Sequence, residues 1–193
     1  MARQINPTSL IICCEHAKEQ AQLSTQLVKN YDQILTCRLA QLELFLDREP
    51  TARLLVHWYA PCAELRSIVE VCRQRKVPLL VLIKSISTLN FKSLEEPSDY
   101  VLLPHSMEGE LSVWLEYAAR VRVRYQKMCD EIASLNTKIE DRKVIERAKG
   151  LIMKMHKMDE ESAYQAMRNS AMKTSQPLSQ IAKNILTTLE TLG

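Results

Sequence analysis

At 193 residues, with 25% charged and 46% apolar residues, the chain has the size and composition of one ordinary folded domain with a smaller companion, which excludes wholesale disorder. No apolar run reaches membrane-spanning length, and the opening MARQINPTS lacks the charged-then-apolar layout of an export signal, so a cytoplasmic protein is expected. The net charge of +3 is unevenly spread: residues 1–118 carry 12 Lys and Arg against 14 Asp and Glu, whereas residues 119–193 carry 14 against 9, which points a basic back half toward a polyanion.

The front of the chain alternates short apolar runs with amphipathic stretches. SLIICC (Ser9–Cys14) reads as a buried strand, followed by a helix over 17–29. QILTC (Gln33–Cys37), RLLVHW (Arg53–Trp58), PLLVLI (Pro78–Ile83) and DYVLL (Asp99–Leu103) read as four more strands, with helices near 38–47 and 62–75. The short, serine-rich segment 84–98 predicts a stunted helix. Continuous apolar strands separated by helices imply a parallel sheet covered on both faces. The six cysteines lie in apolar or helical settings with no Cys-x-x-Cys pair, and read as reduced, buried thiols. No metal or other cofactor is expected.

One long helix fills the middle. Trp114, Ala118, Val121, Tyr125, Met128, Ile132, Leu135 and Ile139 alternate in steps of four and three, a heptad seam. Isoleucine at successive a positions around Leu135 favours a parallel two-stranded coil, so Val121, Tyr125, Met128, Ile132, Leu135 and Ile139 are expected to join two copies into a homodimer. The alternative is a helix packed on its own domain. The boundaries that follow are 1–112 for the α/β domain, 113–142 for the coil and 143–193 for a small all-helical bundle.

That bundle opens with KVIERAKGLIMKM, a helix that carries one of only three glycines in the chain. At about 100° per residue, Ile145, Ala148, Ile152 and Met155 gather on a core side. Lys143, Arg147, Gly150, Lys154 and Lys157 gather opposite, in steps of four, three, four and three. A solvated helix face has no use for glycine, which costs about 1 kcal/mol relative to alanine. Glycine serves where another surface must approach the backbone closely. Phosphates suit such a cationic stripe; close packing of another helix is the competing explanation. Lys149 flanks the stripe. MDEESA starts a second helix with Asp159 as N-cap, and TSQPLSQIA starts a third at Pro177. Tyr164 and His156 are candidates to stack on an unpaired base, and Arg168 adds charge.

The stretch Ile145–Leu186 resembles the ANTAR domain of transcription antitermination regulators. The resemblance is carried by Ala148-Lys149-Gly150, Ile152-Met153, Ala163-Tyr164, Ala171-Met172 and Leu178-Ser179-Gln180-Ile181-Ala182. It implies a three-helix RNA-binding module that recognises paired hairpins with short loops in nascent leader RNA and so prevents a terminator hairpin. It places Lys149, Gly150, Arg147, Tyr164 and Arg168 near RNA, with Lys143, Lys154 and Lys157 completing the basic stripe.

The front resembles a response-regulator receiver domain of flavodoxin-like α/β fold, with Pro61 after the third strand and Pro104 after the fifth. The phosphorylation chemistry of that family is absent. His57 stands where the phospho-accepting aspartate belongs, the acidic pair shrinks to Cys14-Glu15, Ile83 replaces the usual hydroxyl and Leu103 the usual lysine. One carboxylate is too few for Mg²⁺, which wants several oxygen ligands. The resemblance to amidase-operon and nitrate-assimilation antiterminators implies control by sequestration on a cytoplasmic ligand-sensing protein of solute-binding type. No nucleophile, metal cluster or phosphate loop suggests an enzyme. The alternative function is an interaction protein that titrates a partner through the pseudo-receiver and the coil without binding RNA.

Overall fold

The computed structural model describes residues 8–85 and 99–190. They form two compact units, Met1–Met128 and Cys129–Gly193. The expected stunted helix lies mostly at 86–98, outside the described residues.

In the first unit the strands are β1 (Leu10–Cys14), β2 (Ile34–Cys37), β3 (Arg53–Trp58), β4 (Leu79–Ile83) and β5 (Val101–Pro104). Helices α1 (Ala17–Leu27), α2 (Leu42–Arg48) and α3 (Ala63–Arg75) connect them, with one 3-10 turn at Leu39–Gln41. All strand pairs are parallel, in the order β2-β1-β3-β4-β5. This is a doubly wound order of the flavodoxin-like kind. Alternation along each strand sends successive side chains to opposite faces. Ile11, Cys13, Leu54, Val56, Leu79 and Val81 pack with Leu42 and Leu46 of α2 and with Leu65 and Ile68 of α3. Leu10, Ile12, Leu55, Leu80 and Leu82 pack on the other face with Leu23 and Leu27 of α1. Both faces are dry, which is why the central strands read as unbroken apolar runs.

The long helix, α4 (Leu111–His156), runs through both units. Its first turns complete the second face: Leu115 and Ala118 are fully buried there, and Trp114 and Val121 pack against them. The front of the heptad seam is thus covered by the α/β core. Arg122 is also buried; it donates to Asp99 at 3.0 Å and to the Arg73 carbonyl at 3.1 Å, and its guanidinium lies 5.4 Å from the Tyr125 ring centre. From Met128 onward the seam is bare: Met128, Ile132, Leu135 and Ile139 are 53–57% exposed.

In the second unit, α4 is followed by α5 (Glu160–Thr174) and α6 (Leu178–Glu190). Alanines 148, 163 and 182 are fully buried, with Met167 and Leu186 beside them. Methyl-sized side chains let the helices approach, and the flexible methionine fills what remains. Lys157 (φ 49°) and Ser175 (φ 51°) adopt left-handed backbone conformations beyond the ends of α4 and α5. Asp159 caps α5 by accepting from the Ser162 N–H at 3.4 Å. Pro177 precedes α6, and its carbonyl accepts from Gln180 and Ile181.

Candidate nucleic-acid interface

The basic stripe survives folding as an exposed ridge on α4 through Lys154; Lys157, expected on the same helical face, instead lies just past the helix end in a left-handed conformation. Lys143, Arg147, Lys154 and Lys157 are exposed, and Gly150 lies among them. Gly150 has ordinary helical backbone, so it is not needed for a turn. A Cβ built on it would meet nothing within 4 Å. Among the described residues no contact therefore requires a glycine there, and the gap opens outward. Lys143 makes an exposed ion pair with Glu140 at 2.7 Å, which water and salt screen heavily. Among the described residues, Lys154, Lys157 and Arg168 have no ion-pair partner.

Tyr164 on α5 is 37% exposed, its ring partly available, and Arg168 is exposed one turn later. His156 is exposed at the end of α4. Lys149 differs from its neighbours. Its side chain is nearly covered, and its ammonium bridges Glu146 at 2.6 Å and Glu160 at 2.7 Å. Hydrogen bonds to these two carboxylates hold its pKa above the ordinary lysine value. Both acidic partners escaped the sequence reading. Glu146 was visible as an i−3 neighbour, but Glu160 comes close only because the chain reverses after Lys157.

Met155, expected in the core, is instead 57% exposed. The buried stripe of α4 centres on Ala148, with Leu151 and Ile152 beside it, and the helix ends one residue past Met155. Met155 is left at the mouth of a shallow apolar groove with Ile152, Met158 and Ile185.

The residues expected to form a degenerate phosphorylation pocket lie toward the C-terminal end of the sheet. His57 is buried at the end of β3, its Nε2 has no hydrogen-bond partner among the described residues, and its ring faces His105 with centroids 4.7 Å apart. Burial, then the neighbouring His105, pushes the His57 pKa below its ordinary value. The Glu15 carboxylate accepts from the Tyr59 N–H at 2.8 Å. Ile83 is buried and Leu103 half-buried. Among the described residues no three His, Cys, Asp or Glu side chains are placed to hold a metal ion. His105 went unremarked in the sequence because it follows β5, far along the chain from His57. Among the described residues no helix is long and apolar enough to cross a membrane.

A doubly wound, flavodoxin-like α/β domain followed by a small helical module with a row of exposed cations defines the class of this molecule. Residues 133–186 match the model of the ANTAR domain family. Over 62 residues, 32% of this chain, it is 42% identical to the nitrate regulatory protein of Klebsiella oxytoca, covering 16% of that protein. Over 128 residues it is 38% identical to the transcriptional regulatory protein PdtaR of Mycobacterium tuberculosis, covering 63% of this chain and 60% of the relative. These matches span less than two thirds of either relative's length. A solved pilus assembly-related protein from Burkholderia pseudomallei matches 63% of this chain and 94% of its own, with a TM-score of 0.50 and 18% identity, a likeness of fold alone.

Proposed function

We propose that this chain is an RNA-binding transcription antiterminator that engages hairpins in nascent leader RNA and keeps a terminator hairpin from forming. The single observation that carries the reading is the outward-opening backbone gap at Gly150 within a row of exposed cations. A phosphate or sugar entering there would reach the helix surface itself, flanked by Lys143, Arg147, Lys154 and Lys157, while Tyr164 and Arg168 on α5 supply stacking area and charge. The ANTAR match and the two regulatory relatives favour the same reading.

The exposed seam on α4 supports a homodimer through Met128, Ile132, Leu135 and Ile139, with Val121 and Tyr125 closer to the α/β domain. Two modules on one coil would engage two hairpins, and linkage raises the avidity of each contact. The domain division 1–112, 113–142 and 143–193 is retained as a functional one. The pseudo-receiver, lacking an acidic phosphoacceptor site, serves as a protein-binding module in the cytoplasm, sequestered by a ligand-sensing protein of solute-binding type.

Single-round transcription through a leader with two hairpins and a terminator tests the proposal. Adding the protein is expected to raise read-through, and deleting either hairpin to abolish the effect. Unchanged read-through together with absence of RNA binding would favour the partner-titrating alternative.

A further inference from the structure

Lys149 belongs to the basic ridge in sequence but not in surface. Its side chain keeps 11% of its accessible area, against 64% for Lys143. Two of the three donors of its ammonium are committed, one to Glu146 in the preceding turn of α4 and one to Glu160 at the start of α5. A phosphate contact would require breaking both pairs and pulling the side chain out. The ridge already offers Lys154 and Lys157, exposed and without ion-pair partners among the described residues, at no such cost.

The placement of Glu160 gives the pairing a different use. Glu160, Tyr164 and Arg168 follow one another at intervals of four and share a side of α5. Lys149 is the immediate neighbour of Gly150 on α4. Holding Glu160 against Lys149 therefore fixes how Tyr164 and Arg168 stand relative to the open backbone. We infer that Lys149 is a positioning residue, a clamp between α4 and α5 that sets the geometry of the RNA-contacting side chains and does not itself touch a phosphate. This inference rests on the RNA-binding reading above. Without the ammonium, the carboxylates of Glu146 and Glu160 would face one another uncompensated, and their repulsion would swing the start of α5 away from the ridge.

Salt dependence separates a clamp from a contact, because the slope of log K against log salt counts phosphates neutralised. The full chain is titrated, at several salt concentrations, with the tightest member of a pool of two-hairpin RNAs carrying short randomised loops. Lys149→Met is expected to weaken binding about tenfold with the salt slope unchanged. Lys149→Arg, which can keep both ion pairs, is expected to bind like the parent. The triple variant Lys149→Met, Glu146→Gln, Glu160→Gln removes the repulsion as well as the clamp, and is expected to recover most of the affinity at the parental slope. Circular dichroism checks that each variant is folded, and the triple variant carries the test should Lys149→Met alone lose helix. The clamp is overturned if Lys149→Met or the triple variant loses about one unit of slope, as Lys154→Ala should. It is equally overturned if Lys149→Met binds like the parent. Should the parent itself bind no member of the pool, the RNA reading fails and takes the clamp with it.

Discussion

Gly150 makes opposite demands on stability and on binding, and a pair of substitutions separates them. Its backbone is helical, and nothing stands within 4 Å of the position a Cβ would take. Gly150→Ala should therefore gain the full difference in helix propensity, about 1 kcal/mol, with no steric penalty. For a chain of this length that raises the unfolding midpoint by about 2–4 °C. The added methyl narrows the gap, and Gly150→Leu closes it. If an RNA backbone reaches the helix there, loss of even one charge-assisted hydrogen bond, about 1.5–3 kcal/mol, weakens binding by about tenfold to a hundredfold. Leucine should thus bind worst while remaining at least as helical as the parent. Thermal unfolding by circular dichroism and fluorescence anisotropy with a two-hairpin RNA measure the two sides. A destabilised Gly150→Ala would mean that the gap is filled by a second copy, and the argument for a nucleic-acid site would lose its footing. A stabilised Gly150→Leu that binds RNA undiminished would refute it outright.

Other expectations follow from the same structure. Replacing Ile132 and Leu135 by Asp should leave a monomer in sedimentation, since burying each side chain in a coil contributes about 1.5–3 kcal/mol per copy; a variant that remains dimeric would place the interface elsewhere. Asp99→Ala strands the buried Arg122 guanidinium and should cost about 3–5 kcal/mol of stability by urea unfolding. A loss below 1 kcal/mol, on the order of an exposed pair, would show that Arg122 finds water instead. Burial depresses the His57 pKa below 6.5, so the unfolded chain binds the proton first as pH falls. The stabilising contribution of neutral His57 is complete above about pH 6.5 and shrinks below it. The urea midpoint should decline with acidification over that window, less so in His57→Leu; identical slopes for both proteins would remove His57 as the cause.

What the sequence made legible follows from which forces are local. β1, β3 and β4 were plain because parallel strands buried on both faces are continuously apolar, and the start of α5 was plain because Asp159 caps it, with Glu160 and Glu161 in its first turn. The heptad seam was legible as a period but not as a surface. The same spacing covers Ala118 with the α/β core and leaves Leu135 bare, because periodicity says which side of a helix is apolar and not what meets it. Met155 was misplaced for a related reason: near a helix end the partner elements run out before the stripe does. The contact of Lys149 with Glu160 and that of His57 with His105 depend on chain segments that return from a distance, α5 in one case and the end of β5 in the other. No local pattern encodes them. The cations Lys143, Arg147 and Lys154 around Gly150, by contrast, lie within one helix and could be read directly, whereas Lys157 falls past its end.

The central claim is that RNA lies along the Gly150 ridge, and site-directed photocrosslinking tests it most directly. A benzophenone side chain is placed at Lys154, on the ridge, or at Asn184, on α6 beside the apolar groove. Illumination with a bound two-hairpin RNA is expected to yield an adduct from position 154 and none from position 184. Adducts from 184 alone, or from neither site while the RNA remains bound, would place the RNA on another surface.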